Sequence, residues 1–348
     1  MLAVRIVGAV VAAGLVVGVF LGHRRRRISR LNLIISWVLG GVLLALAIRP
    51  SAFNGLFDLF DLRAGGGRRL AGAALIVSFV LLLLLLRAMS QIDVNERNIR
   101  LLVESLAVDR FMRDDIHLDP TAERIVVAMP AHDEAPNIAS VIHAMPDQVE
   151  GLPVTTIVVD DASADGTADV ARAAGAYVAR IPIQRGQGMA QRIGYQIGLA
   201  LGAKVVVSMD SDGQHVPDEM GLLVKPILED QADMIQGSRM LGEFEKESHL
   251  RHLGVLFFSR LVSTITGVRI TDVSSGYRAI RAETLRNLVL VQDQFSSSEV
   301  LVEGLRQRAR IKEVPITIRA RTSGASKKPK SLRYGWNFTK VIIKTWLR

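Results

Sequence analysis

Hydrophobic and polar positions repeat on three length scales along these 348 residues, and each scale predicts a different kind of element. The first is continuous. Residues 2–21, 31–48 and 70–86 are apolar almost throughout. Each approaches the ~20 residues that a bilayer-crossing helix needs. Residues 81–86 are all leucine, leaving no polar face to turn toward water. These stretches are read as three transmembrane helices within residues 1–90. A cleaved signal peptide fits the first stretch poorly, because only Arg5 precedes its apolar run and the basic cluster follows it. The second scale is helical: Ile92, Ile99, Leu102, Val103 and Leu106 mark an amphipathic connector over 91–122. The third is short and β-branched. Apolar runs at 125–129, 155–160 and 204–210 alternate with helical stretches, the signature of a parallel sheet covered on both faces. This α/β body is placed at 123–328. Residues 329–348 mix Trp336, Phe338 and Trp346 with cations over a length too short and charged to span, which predicts an interfacial helix.

Charge sharpens the division. Residues 1–90 hold eleven arginines, no lysine and two aspartates, so this segment alone equals the formal net charge of +9. The last thirty residues hold nine lysines or arginines and no acid, which leaves residues 91–318 at −9. No basic stripe crosses that acidic body, so nucleic acid is excluded as a partner and the lipid bilayer is favoured. Arg24, Arg25, Arg26, Arg27 and Arg30 link the first two stretches, and the positive-inside rule puts that link in the cytoplasm. Three crossings then place the body at the cytoplasmic face of the cell membrane as a multi-pass protein. The absence of cysteine agrees. The outer loop 50–69 sets Phe53, Leu56, Phe57, Leu59 and Phe60 around Asp58 and Asp61, a pattern compatible with an interfacial helix, and a homo-oligomer through the apolar helices is compatible with this layout.

The chemistry gathers where the β-branched runs end. The run through Val205, Val206 and Val207 leads into Asp210-Ser211-Asp212, two carboxylates one residue apart at the carboxyl end of a strand, where open α/β sheets bind ligands. That spacing suits Mg2+ or Mn2+ with coordination positions left for phosphate oxygens, and Gln214 offers one more oxygen. The other runs end in Pro130-Ala131-His132-Asp133-Glu134 and in Asp160-Asp161-Ala162-Ser163-Ala164-Asp165-Gly166-Thr167. One such cluster is an ordinary helix cap or turn. Three at successive strand ends need cations or hydrogen-bond donors to hold them together.

These motifs resemble the family 2 glycosyltransferases of the GT-A nucleotide-sugar-binding fold, Rossmann-like with a mostly parallel sheet, and most closely the polyprenyl-phosphate branch typified by dolichyl-phosphate mannose synthase. The resemblance runs from Ile125 to Lys327. It implies donor contacts at Pro130, Ala131, Asp133, Glu134, Asp160, Asp161 and Ser211, with His132 and Asp133 standing where the family has Tyr and Asn. The family's Gly-Lys-Gly turn appears as Gly186-Gln187-Gly188, so Gln187 replaces a lysine, and Arg185 or Arg192 is expected to restore its charge. Gly237-Ser238-Arg239, the Asp272 to Arg278 motif and Arg321 to Lys327 complete the pattern. By resemblance Arg239, Arg251, Arg321 and Lys327 hold the acceptor phosphate, and Glu299 positions sugar.

The implied reaction is inverting transfer from a nucleotide-diphosphate sugar to polyprenyl or dolichyl phosphate, with Asp210, Asp212, Arg239 and Lys327 as the catalytic set. An anionic acceptor needs positioning and charge compensation more than a general base. A different lipid or glycan acceptor stands as an alternative. A processive polysaccharide synthase is excluded, because its Gln-x-x-Arg-Trp motif requires a tryptophan and none occurs between Trp37 and Trp336. A non-catalytic membrane scaffold is the other rival, supported by Gln187 and the altered His132-Asp133 pair.

Overall fold

The structure, a computed structural model, describes residues 67–114, 118, 122–243, 249–320 and 332–348, with scattered helical positions between 10 and 44. The chain divides into two compact units, Met1–Leu102 and Val103–Arg348. The apolar stretches 2–21 and 31–48 lie mostly outside the described residues. Helix α1 (Gly67–Arg113) runs through the third stretch and residues 91–113 of the expected connector as one unbroken element. The side chains at 67–77 and 80 lie outside the description, and among the described residues no helix is long and apolar enough to cross a membrane.

The second unit is built on a sheet of eight strands. After α1 come β1 (Arg124–Ala131), α2 (Ala135–His143), β2 (Gln148–Val149), β3 (Leu152–Asp161), α3 (Thr167–Ala173), β4 (Tyr177–Ile181), α4 (Gln187–Ala200) and β5 (Ala203–Ser208). Then follow α5 (Met220–Leu228), β6 (Met234–Ser238), α6 (His249–Thr266), β7 (Arg278–Arg281), α7 (Ala282–Asn287), α8 (Ser296–Arg306), β8 (Ile311–Pro315) and α9 (Leu332–Trp346). The strand order is β2-β3-β1-β5-β7-β6-β8, with β4 on the outer side of β3. β1, β3, β4 and β5 pair in parallel, as the β-branched runs predict. β7 does not: it is antiparallel to both neighbours, so the sheet is mixed.

Continuous apolar runs are required because both faces are covered. Val126, Ala128, Val159 and Val206 pack with Met189, Ile193 and Ile197 of α4 on one side. Their alternating neighbours Ile125, Val127, Val158, Val205 and Val207 pack with Ile138 of α2 and Leu223, Val224 and Ile227 of α5 on the other. Each such fully buried valine, leucine, isoleucine or methionine side chain contributes roughly 1.5 to 3 kcal/mol.

The strand directions place the chemistry. Parallel β1, β3 and β5 deliver their carboxyl ends to one edge of the sheet. Because β7 is reversed, β6 and β8 end at that edge too, and the segment that enters β7 begins there. Helix α9 closes the unit. Phe338, Val341 and Ile342 are buried, with Phe338 against Phe258 and Phe295 at ring separations of 4.4 and 5.3 Å. The expected interfacial helix is therefore docked along one face. Its other face exposes Trp336, Ile343 and Leu347 beside Lys340 and Lys344.

Candidate active site

The loops after β1 and β3 interlock through a polar lattice. Asp133 N–H donates to Ser163 Oγ at 3.0 Å, Ala164 N–H returns a bond to Asp133 Oδ1 at 2.9 Å, and Glu134 N–H donates to Thr167 Oγ1 at 2.9 Å. Asp160 is fully buried, accepts from Ser163 N–H and pairs with Arg180 Nε at 3.2 Å. His132 Nδ1 donates to Asp161 O at 2.8 Å, and its Nε2 accepts from Gln184. The sequence groups these acids as donor contacts. The structure shows that Asp133, Asp160 and Glu134 also fix the two loops, which explains the capping-like pattern without excluding ligand contact.

Asp161 reaches across to the next loop. Its two carboxylate oxygens accept the N–H groups of Arg185 and Gly186 at 2.7 and 2.6 Å. Burial raises its pKa, and those two N–H groups oppose the rise. The Gly186-Gln187-Gly188 turn so held is tightly packed. Gly186 has φ +95°, and a Cβ on Gly188 would lie 2.2 Å from Gln292 O, so glycine is required there by the adjoining backbone as much as by any phosphate.

Asp210 and Asp212 follow β5, as the run of valines predicts. Ser211 Oγ donates to Pro130 O at 3.0 Å, tying this loop to the end of β1. Asp210 N–H donates to His215 Nδ1, and its Oδ1 accepts from Gln187 Nε2 at 3.0 Å. Its carboxylate rests on Gly276, where a Cβ would come within 2.6 Å of Oδ1. Asp212 is buried and accepts the Gln214 N–H, while Gln214 Nε2 donates to Arg319 O. Among the described residues no three acidic or imidazole side chains gather as a ready-made metal cage. Two adjacent carboxylates are instead a donor set for an ion that takes its remaining ligands from phosphate and water, as Mg2+ does.

On the far side of β7, Arg239 projects from the end of β6. Its Nε donates to the fully buried Asp272 at 2.7 Å and its Nη2 to Ser274 Oγ at 3.2 Å. Glu313 fixes that loop in turn, accepting from the N–H groups of Thr271 and Asp272. Burial raises the Glu313 pKa, and the same N–H groups work against it. Arg251 lies on α6 with its side chain outside the description, and Arg321 and Lys327 lie outside the described residues.

Two residues expected at the ligand are engaged by partners within the protein. Arg192 is buried and committed: Nε to Glu104 at 2.6 Å, Nη1 to Gln292 O at 2.7 Å and Nη2 to Asp293 at 2.7 Å. It clamps α1, α4 and the 292–293 loop. Glu299 is 1 % exposed, accepts the N–H groups of Val291 and Gln292 at 2.9 Å each, and pairs with Arg348. It braces the loop at Val291 and Gln292. Arg278, on β7 between β5 and β6, belongs to the Asp272 to Arg278 motif and is fully buried, which the motif does not reveal.

Comparison with known proteins agrees with this arrangement. Residues 126–289 match the model of glycosyl transferase family 2. The undecaprenyl-phosphate mannosyltransferase of Micrococcus luteus is 33% identical over 217 residues, covering 59% of this chain and 87% of that protein. The polyprenol monophosphomannose synthase of Mycolicibacterium smegmatis is 30% identical over 230 residues, covering 62% and 84%. Among solved structures, glucosyl-3-phosphoglycerate synthase from Mycobacterium tuberculosis, crystallised with Mn2+, UDP and glucosyl-3-phosphoglycerate, superposes with a TM-score of 0.51 at 24% identity, covering 65% of this chain and 79% of that one. That last likeness speaks to the α/β fold. With two relatives at or above 30% identity matched over most of their length, and the family's own motifs on one sheet edge, the chain belongs to glycosyl transferase family 2.

Proposed function

We propose that this protein is a membrane-associated glycosyltransferase that moves one sugar from a nucleotide-diphosphate sugar to polyprenyl phosphate. The observation that carries the reading is the meeting, on one sheet edge, of the Asp210-Asp212 loop with the buried Arg239–Asp272 pair. An anionic donor and an anionic acceptor must be brought together there, and the named activities of the two curated relatives supply the acceptor class.

Asp210 and Asp212 are the residues that would hold a divalent ion, Mg2+ or Mn2+, whose chemistry when bound is Lewis-acid neutralisation of the leaving diphosphate. The M. tuberculosis neighbour that shares the fold was crystallised with Mn2+. Ser211, the Asp133–Glu134 segment and the Asp160–Asp161 pair border the donor side. Arg239, with Arg251, Arg321 and Lys327 assigned by motif, supplies charge for the acceptor phosphate. That phosphate is already a nucleophile at neutral pH, so these residues orient it and no strong base is required.

The finer membrane assignment is part of the same proposal: spans at 2–21, 31–48 and 70–86, the arginine-rich link in the cytoplasm, and assembly through those helices left open to a homo-oligomer. The exposed Trp336, Ile343 and Leu347 face of α9, with Lys340 and Lys344, suits an anionic headgroup layer. A panel of nucleotide sugars incubated with polyprenyl phosphate and the purified protein, read by mass spectrometry, tests the reading. One sugar added to the lipid phosphate with release of a nucleoside diphosphate is expected. No lipid product across the panel overturns it, and sugar on another acceptor redirects it.

A further inference from the structure

β7 lies between the two halves of the site. Ser208, at the end of the strand that leads to Asp210, pairs with Arg278, and so does Gln236, in the strand that leads to Arg239. Arg278 is therefore the point at which the donor side and the acceptor side are joined through the sheet.

Its side chain is fully buried, yet it is not satisfied as a structural arginine ordinarily is. Nη2 donates to Ser275 O at 2.6 Å, while Nε and Nη1 have no hydrogen-bond partner. A buried guanidinium is costly, and an apolar side chain of similar volume often serves packing as well or better. The charge therefore calls for another reason. Burial pulls its pKa down, and Tyr195, Asp210 and Asp272 act against that pull. Asp210 belongs to the donor side, and Asp272 holds Arg239 on the acceptor side.

The segment next to Arg278 supplies the mechanical link. Ser275 O accepts both Arg278 Nη2 and Gln236 Nε2, the latter at 3.1 Å. Gly276 O accepts Ser208 Oγ at 2.8 Å, and the Gly276 backbone is the surface on which the Asp210 carboxylate rests. The 272–276 segment thus touches Arg239 at one end and Asp210 at the other, and Arg278 holds it from beneath.

We propose that Arg278 is a positioning residue whose buried guanidinium fixes the 272–276 segment, so that the carboxylate serving the donor and the arginine serving the acceptor keep one relative alignment. The inference rests on the transferase reading above. Because Arg278 is wholly buried, it meets neither substrate. Its loss should disturb alignment and leave substrate contacts in place, which lowers kcat and spares both KM values.

The test compares Arg278→Met, which fills the volume without charge, and Arg278→Lys, which keeps the charge and loses the fork. The measurements are kcat, the KM for nucleotide sugar, the KM for polyprenyl phosphate, calorimetric binding of the nucleoside diphosphate, and thermal melting. Arg278→Met is expected to lower kcat about 10- to 100-fold, with both KM values and nucleotide affinity held within about threefold, and Arg278→Lys is expected to fall between it and wild type. Wild-type kcat in Arg278→Met overturns the inference. So does a tenfold rise in one KM, or a tenfold loss of nucleotide affinity, at unchanged kcat, which would make Arg278 a substrate contact. Should Arg278→Met fail to fold, Arg278→Lys decides: reduced kcat at constant KM supports the inference, and wild-type kcat overturns it. Wild-type protein that transfers no sugar overturns the transferase reading and the inference together, whereas wild-type transfer with unaffected variants overturns the inference alone.

Discussion

Gly276 supports the Asp210 carboxylate by having no side chain, and Gly276→Ala would displace it. An added Cβ would stand 2.6 Å from Oδ1, 2.8 Å from Oδ2 and 2.9 Å from Cγ of Asp210. Ordinary contact begins near 3.4 Å, so the carboxylate must move by about 0.8 Å or rotate away. The obstructing atoms are the end of a side chain, and Gly276 is not among the glycines with positive φ, so the fold itself should tolerate alanine. Misplacement of about 1 Å at a reacting centre costs on the order of 100-fold. A kcat reduced roughly 10- to 100-fold corresponds to about 1.4 to 2.7 kcal/mol in the barrier. Steady-state transfer of radiolabelled sugar to polyprenyl phosphate, paired with a melting curve, measures both halves. Activity within threefold of wild type, in a protein that melts normally, would refute the reasoning, because Asp210 would then have no need of its present position.

Arg239→Ala should raise the KM for polyprenyl phosphate with nucleotide affinity nearly unchanged; equal loss of nucleotide binding would move Arg239 to the donor side. Glu299→Ala, which strips two backbone N–H groups and Arg348 of their buried acceptor, should cost about 3 to 5 kcal/mol in chemical denaturation while the KM values hold, and a fully stable variant with impaired sugar use would restore it to the site. Burial would raise the Glu303 carboxyl, but Arg306, Gln307 and the Val289 N–H outweigh it and hold its pKa below the ordinary 4.5. Its contribution is therefore complete above that value and lost as pH falls through the lower folded value, so Glu303→Gln should flatten the acid side of the stability profile; an unchanged acid slope contradicts this. Replacing Trp336 and Ile343 by serine should leave melting unaltered and weaken binding to anionic vesicles, and undiminished binding would remove α9 from the membrane contact.

The strand ends were legible because valine and isoleucine runs stop abruptly at carboxylates at three successive strands, which capping alone explains poorly. Asp160, Asp161, Asp210 and Asp212 were found by that contrast. The roles of Arg192 and Glu299 were not, since a charged residue in a helix shows its spacing and not its partner: Glu104 is 88 residues from Arg192, and Arg348 is 49 from Glu299. The pattern marks Gly188 as part of a phosphate turn and does not disclose that a side chain there would also meet the backbone of Gln292. The reversal of β7 was hidden too, because Arg278–Arg281 is too short for its direction to be inferred. The continuity of α1 escaped for the opposite reason: a shift from all-apolar to amphipathic texture looks like a boundary, and backbone hydrogen bonding crosses it without a break.

The central claim is sugar transfer to polyprenyl phosphate that depends on the Asp210-Asp212 pair. It is tested most directly by measuring transfer from a radiolabelled nucleotide sugar to polyprenyl phosphate by purified wild-type protein with Mg2+ or Mn2+, by the same protein in excess EDTA, and by folded Asp212→Asn. The account predicts a labelled polyprenyl-phosphate sugar in the first case and none in the other two. Full transfer by Asp212→Asn, or full transfer in EDTA, would contradict it.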